Sequence, residues 1–329
     1  GYRFDTGIQY VGAMNPGQPL HAILTYLNIS DQLNAMPLDP KGYDIIGFPN
    51  AEIPVPAGIE SLRESLLSWF PTGKPAVERY TTLLRDGIRR FPLYHLQPGI
   101  GEWPPPFSQT GTADYFAGIG NGVTSRDGLV SLAGFLGGNS FLYGGYRDTP
   151  LSTTLLINHS FLSGPCRIAG GSSTIASLLT QSLTARGGNL NIGQSVKEIL
   201  PVKEGFIVRS HQKVEWQAGK IISTIHPRET IAMVPPGSLP RAYCKRLNSL
   251  ADYCGAFILF IGLKPGLFRY PHYNYYYHRS YEPWLPEPSR PDDWPHIFLL
   301  TAGCDVAGQE YATTLTVMTY MDFSMVAPW

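Results

Sequence analysis

The residues able to do chemistry are few, and they stand in a definite order. Gly170-Gly171 precedes Ser172 and Ser173, so a helix starting there offers unpaired N–H groups behind two glycines. Such a start can receive an anion or admit a flat cofactor close to the backbone. Phe4-Asp5-Thr6-Gly7 is a second glycine-ended turn, where Asp5 can cap the turn and Gly7 allows close approach. Exchangeable protons sit on His159 and on the tyrosine-rich run YPHYNYYYHRSY at 270–281. His159, Tyr275 and Tyr277 are therefore the candidates for proton transfer. There is no Gly-x-Ser-x-Gly elbow and no pair of histidines at i, i+4, so neither a serine nucleophile nor a metal site is expected. Gly118-Ile119-Gly120-Asn121-Gly122 has the look of a nucleotide loop. It lacks a preceding strand and an acidic ribose partner, and is read as an ordinary loop.

The elements that must position these groups follow from periodicity. Ile175, Leu178, Leu179 and Leu183 recur at helical spacing after Ser173, Gly187-Gly188 supplies a left-handed exit, and Leu190, Ile192, Val196 and Ile199 read as extended runs. Upstream, residues 1–12 alternate as a strand bent at Gly7, and Tyr43 to Phe48 is a short strand. Ile59, Leu62, Leu66 and Phe70 mark one helix, and Val77, Tyr80, Leu84 and Ile88 a second. The end of the first, Trp69-Phe70, fits a core better than a membrane surface. Residues 91–122, centred on Trp103-Pro104-Pro105-Pro106, read as loop. Ser125 or Asp127 is expected to cap a helix through Leu136, and another helix runs from Ser152 towards Phe161. Strands at 206–208, 214–216 and 220–225 form a meander, and 256–263, 270–281, 297–301 and 311–320 an antiparallel sheet. Tyrosine suits a half-buried sheet face, so the 270–281 run is an ordinary strand and loop or, alternatively, a wall of an apolar ligand cavity.

Composition narrows the partners. The 329 residues carry 25 basic and 25 acidic side chains with no basic cluster, which gives no footprint for nucleic acid. Cys166, Cys244, Cys254 and Cys304 show no metal spacing and read as buried free thiols. The longest apolar run, Ala256 to Leu263, falls short of the roughly 18 to 20 residues of a membrane span, so a cytoplasmic or peripheral membrane protein is expected. The chain opens at Gly1 and closes at Trp329 like an internal fragment of a longer protein.

Taken in order, Phe4-Asp5-Thr6-Gly7, Tyr10-Val11-Gly12, Phe70-Pro71, Asn158-His159, Gly170-Gly171-Ser172-Ser173, Gly187-Gly188, Val196, Ile199 and Ile222-Ser223-Thr224 resemble the flavin-dependent phytoene desaturase superfamily. Within it, the retinol saturase branch is the most similar, with carotenoid isomerases as neighbours. The resemblance implies an α/β fold: an FAD/NAD(P)-binding Rossmann-like domain, incomplete here, interrupted by an α+β substrate domain of helices and an antiparallel sheet. It implies that residues 1–12 and 166–235 belong to the FAD domain, and 13–165 and 236–329 to the substrate domain. Asp5, Thr6, Gly7, Gly170, Gly171, Ser172, Val196 and Thr224 are then the cofactor-binding positions, with the backbone of Val196 towards the adenine. The N-terminal G-x-G-x-x-G unit and the C-terminal glycine-rich segment of that family are not in these residues. Gln9 and Arg167-Ile168-Ala169 stand where similar proteins carry His and Pro.

The implied activity is redox chemistry at a carbon-carbon double bond of an apolar polyene or other isoprenoid lipid, with FAD as cofactor and NAD(P)H as a candidate electron donor. Carotenoid isomerisation or desaturation on the same scaffold is the alternative, and a non-redox lipophile-binding module is the alternative of another class.

Overall fold

Proline and glycine break the first fifty residues into short pieces, and the regular core begins only where apolar runs lengthen. The structure, a computed structural model, describes residues 1–89, 91–98, 109–250, 255–285, 292 and 294–321. The chain divides into two compact units, Gly1–Ser182 with Cys254–Trp329, and Leu183–Tyr253.

In the first unit, α1 (Pro19–Tyr26) and β1 (Ala35–Pro37) lead to the hairpin of β2 (Asp44–Phe48) and β3 (Ala51–Val55), which turns through Asn50 at φ 65°. The paired helices α2 (Ile59–Trp69) and α3 (Lys74–Arg89) flank the Pro71 break, and α4 (Thr112–Gly120), α5 (Leu132–Leu136) and α6 (Leu151–Leu162) complete the helical layer. Strand β4 (Cys166–Ile168) pairs antiparallel with β1, and α7 (Ser173–Ala185) follows. The second unit holds the meander β5 (Val196–Val202), β6 (Gly205–Ser210) and β7 (Glu215–Ala218), then α8 (Pro227–Ala232) and α9 (Arg241–Asn248). Back in the first unit come β8 (Gly255–Gly262), β9 (Asn274–His278), β10 (Ile297–Ala302) and β11 (Thr314–Met321).

These four strands and the early hairpin make one open six-stranded sheet in the order β3-β2-β9-β10-β11-β8. Its pairings are antiparallel except β2 with β9, which is parallel and aligns Asp44 with Asn274 and Ile46 with Tyr276. The expected antiparallel sheet is thus a mixed one, because a strand from the first part of the chain inserts beside one from the last. Side chains alternate across β9: Asn274, Tyr276 and His278 are buried, whereas Tyr275 and Tyr277 face the other way. Helices cover the buried side, where Phe70, Val77, Leu84, Phe116 and Leu155 are fully enclosed. Trp69 packs against the same core, in keeping with a core role for that helix end.

Several expectations are corrected. Residues 1–12 form no strand; Gly7 bends the run and only Val11 bridges, to Cys166. The Gly118–Gly122 stretch lies at the C-terminal end of α4, in a region read as loop, because Thr112, Ala113 and Phe116 bury one helical face. Helix α5 is capped by Ser131, whose hydroxyl accepts from the Gly134 N–H, while Ser125 donates to Asp127 instead. Leu190 and Ile192 are exposed outside any strand. Residues 220–225 form no strand either: Ile222 is 91% exposed and no neighbouring strand supplies hydrogen bonds among the described residues. The apolar stripe of α7 contains no buried residue, and Cys244 is half-buried where a buried thiol was expected. Trp103-Pro104-Pro105-Pro106 and Cys254 lie outside the described residues.

Gly12 shows why residues 10–13 can lie flat against the end of α6. A Cβ there would stand 2.1 Å from the Ser160 carbonyl oxygen, whereas a Cβ at Gly7 would meet nothing within 4 Å. Gly12→Ala is expected to cost about 3 kcal/mol or more in urea unfolding, because the obstruction is backbone and cannot rotate aside. Gly7→Ala should leave the unfolding midpoint in place.

Candidate functional site

That close approach places residues 7–13 along a cavity of about 520 Å3. Helix α1 contributes Pro19, Leu20 and Ile23 to one side, and Phe141, Leu142 and Phe161 line another. Leu299 of β10 with Met318 and Tyr320 of β11 closes the sheet side. Gln9, Tyr10, Ser160 and Tyr320 are the polar side chains on this wall. A wide apolar chamber with few polar groups suits a lipophilic ligand, held by area and oriented by few hydrogen bonds.

Those polar groups are held in place. Gln9 donates from Nε2 to the Asp5 carbonyl (3.1 Å) and accepts at Oε1 from Thr301 Oγ1 (3.0 Å). Tyr320 donates its hydroxyl to the Phe141 carbonyl at 2.6 Å, with the two rings stacked. Tyr10 packs its ring on Phe161 at 4.6 Å, donates to Asp44 Oδ2 (3.1 Å) and shares a 2.6 Å hydrogen bond with the Tyr276 hydroxyl. Behind them Asp44 Oδ1 accepts from Asn274 Nδ2, and Asn274 Oδ1 accepts from Arg167 Nη2, each at 2.8 Å. Arg167 is 1% exposed, and its other hydrogen bonds go to Tyr270 Oη and the carbonyls of Pro271 and Tyr273, all neutral oxygens. Its Nε has no hydrogen-bond partner.

Burial dominates the electrostatics. It pushes the Asp44 carboxyl up to about 7, against the hydrogen bonds from Asn274 and Tyr10 and the charge of Arg167, which pull the other way. Tyr10 and Tyr276 are raised well above the ordinary phenol range, by burial first and then by the nearby Asp44.

The turn at Asp5 and the start of α7 come together as well. Ser172 donates both its N–H (2.7 Å) and its hydroxyl (2.6 Å) to Asp5 Oδ1. Gly170 and Gly171 adopt φ of 82° and 79°, and a Cβ on Gly171 would lie 2.8 Å from the same carboxylate oxygen. The anion at this helix start is therefore the protein's own Asp5. Asp5, Gln9, Tyr10, Arg167 and Ser172 all border one small void of about 10 Å3. Val196 and Thr224 belong to the second unit, where Val196 opens the edge strand β5 and Thr224 is exposed outside regular structure.

The proton-transfer candidates stand apart from the chamber. His159 pairs through Nδ1 with the Tyr94 hydroxyl at 2.9 Å, and burial lowers its basicity. Tyr275 donates to Glu52 on the opposite sheet face, and Tyr277 stacks on Phe298 at 5.1 Å. None of the three lines the cavity. Sequence reasoning passed over Tyr10 and Asp44. The available signal was Asp44 itself, an acidic residue leading the apolar run Ile45-Ile46-Gly47-Phe48.

With this geometry in view, the fold can be set beside solved structures that it resembles in architecture at low sequence identity. An oxidoreductase from Methanosarcina mazei superposes with a TM-score of 0.62 at 14% identity, over 100% of this chain and 70% of that one. A putrescine oxidase redesigned in its cofactor binding gives 0.60 at 13% identity, over 98% and 66%. A CLA-producing fatty acid isomerase from P. acnes gives 0.55 at 11%, over 97% and 66%. In sequence, the chain is 25% identical over 295 residues to the all-trans-retinol 13,14-reductase of Danio rerio, which covers 80% of this chain and 46% of that protein. The chain thus spans about half the length of the curated relative it matches. No family model matches it. The expected likeness to the retinol saturase branch is met in sequence by this one reductase, and the α/β class with an open mixed sheet holds in structure.

Between about pH 4 and pH 7 the folded chain keeps a proton on Asp44 that the unfolded chain has released. Stability is therefore highest below that window and declines as pH rises through it, by on the order of 4 kcal/mol if Asp44 stays enclosed. Urea titrations at pH 5 and pH 8 should show the decline in the wild type and a flatter profile in Asp44→Asn.

Proposed function

We propose that this chain forms the substrate chamber and part of the cofactor site of an FAD-dependent oxidoreductase that reduces a carbon-carbon double bond in an apolar polyene or related isoprenoid lipid. The observation that carries the reading is the apolar 520 Å3 cavity lined by the Gly7–Ala13 segment, in a chain related in sequence to a retinol reductase. A long apolar substrate fits a wall of Leu, Ile, Phe and Met with tethered polar groups. Residues 1–12 and 166–235 are assigned to the FAD domain in this reading, and 13–165 and 236–329 to the substrate domain.

The donor set at Thr6 to Gln9 fits the ring end of FAD. Among the described residues, the N–H groups of Thr6, Gly7 and Ile8 make no backbone hydrogen bond, and Gly7 leaves open space beside them. Asp5, Gly170, Gly171 and Ser172 do not fit its diphosphate, because the Asp5 carboxylate already takes the Ser172 donors and would repel a second anion. Their role in this reading is to hold the Thr6-Gly7 turn against the chamber. Val196, on the edge strand β5, keeps the assignment towards adenine, and Thr224 remains assigned beside the cofactor. FAD, when bound, supplies a hydride, with NAD(P)H as the assigned donor of its electrons. The chain's own residues bind the polyene and exclude water.

Helix α1 lines the chamber and leaves Tyr26 83% exposed and Ile23 40% exposed, which supports peripheral contact with a lipid surface as the route of substrate entry. Among the described residues no helix is long and apolar enough to cross a membrane.

The full-length protein is expected to carry a bound flavin whose reduced form is reoxidised by all-trans-retinol or another polyene, with a product heavier by two hydrogens. A product of unchanged mass would instead assign isomerisation, and absence of bound flavin would favour a lipophile carrier. Leu142→Trp, which narrows the chamber, should raise KM about tenfold without altering flavin content.

A further inference from the structure

Saturating a double bond takes a proton as well as a hydride, and the chamber wall offers few groups that can give one. Gln9 is an amide already bonded at both ends. Tyr320 donates to the Phe141 carbonyl, which has no proton to return, and Ser160 is an alcohol of very low acidity. Tyr10 differs because an acid stands behind it: Asp44, 1% exposed, lies 3.1 Å from its hydroxyl.

We propose that Tyr10 delivers the proton to the substrate carbon and that Asp44 reloads it; the assignment rests on the reductase reading above. The Tyr10 O–H bond breaks and a C–H bond forms at one alkene carbon. The hydride for the other carbon would be supplied by the two-electron-reduced flavin when that group is bound, so that two C–H bonds would replace the π bond. The phenolate left on Tyr10 takes the proton of Asp44 along their hydrogen bond, and the carboxylate so formed is held by Asn274 Nδ2 at 2.8 Å. Arg167 polarises Asn274 from the far side, also at 2.8 Å, and places a buried positive charge beside the new negative one. Solvent reprotonates Asp44 between turnovers.

The groups facing Asp44 come from every neighbouring element: Tyr10 from the N-terminal segment, Asn274 and Tyr276 from β9, Arg167 from β4, and Tyr43 beside it with Tyr80 behind. Arg167 is the cation of this set, and it acts through Asn274. Asp44 holds its proton up to about pH 7, so the relay is loaded at neutral pH and empties above it.

The test uses the full-length, flavin-loaded enzyme with all-trans-retinol, comparing wild type, Tyr10→Phe, Asp44→Asn and Asp44→Glu. Tyr10→Phe should lower kcat about 100-fold with polyene affinity, read by fluorescence, within twofold. Wild-type kcat should fall above pH 7, a limb that Asp44→Asn lacks and Asp44→Glu restores. Independently of turnover, infrared titration should show a protonated-carboxyl band that disappears near pH 7 in the wild type and is missing in Asp44→Asn. Turnover of Tyr10→Phe at the wild-type rate, or a carboxyl band untouched by Asp44→Asn, overturns the proton assignment alone. A wild type that binds flavin and retinol but reduces nothing overturns the reductase reading and this assignment with it.

Discussion

The line of contacts behind the chamber starts from the buried Arg167. A guanidinium at 1% exposure must find acceptors or lose several kcal/mol of solvation, and here both terminal nitrogens find them without a carboxylate in hydrogen bond, while Nε is left unpaired. Its acceptors come from the segment between Tyr270 and Asn274, so the cation fixes the entry into β9. Asn274 then passes the alignment to Asp44 at the head of β2, and Asp44 passes it to Tyr10. Four separate pieces of chain are registered by one line of hydrogen bonds, and the cavity wall is its last member.

The chamber depends on this line and on backbone proximity. Residues 10–13 are held from one side by Tyr10 and from the other by the Val11–Cys166 bridge, and Gly12 permits contact with the end of α6. Phe161 then packs at a tilt on Tyr10, and Phe141 stacks on Tyr320, so two aromatic pairs fix part of the wall beside its aliphatic side chains. The Asp5 carboxylate anchors the same segment to the start of α7. A glycine-rich helix start that offers itself to an external anion is thus used internally, to hold a turn beside the chamber.

Local pattern made much of this legible. The helical stripes through Leu66 and Leu84, the strand at 43–48 and the Gly-Gly-Ser start of α7 follow from spacing alone, and the ordered motifs led to a resemblance that the similarity to a retinol reductase bears out. Longer-range features did not follow. Parallel pairing of β2 with β9 depends on register between residues that no local window contains. The tyrosine run gave its alternation, but not which face met the helices; Tyr276 took the inner face while Tyr275 and Tyr277 took the outer one. Residues 220–225 have strand propensity that nothing among the described residues satisfies, since an extended segment without a partner gains little from its side chains. Asp44 and Arg167 were hard to see because a buried ionic group is betrayed by its partners, which lie far off in sequence.

The parallel pairing of β2 with β9 also constrains how the molecule is made. Asp44 and Asn274 meet across 230 residues of chain, and the intervening stretch includes the whole of the second unit, whose meander pairs only sequence neighbours. During synthesis that meander can close as soon as it emerges, while β2 and β3 wait as an apolar hairpin with one edge unpaired. The chamber is therefore among the last parts to form. A nascent chain interrupted before residue 274 would leave Phe48 without His278 and Tyr281, the rings that stack on it, and would leave the inner edge of β2 unpaired.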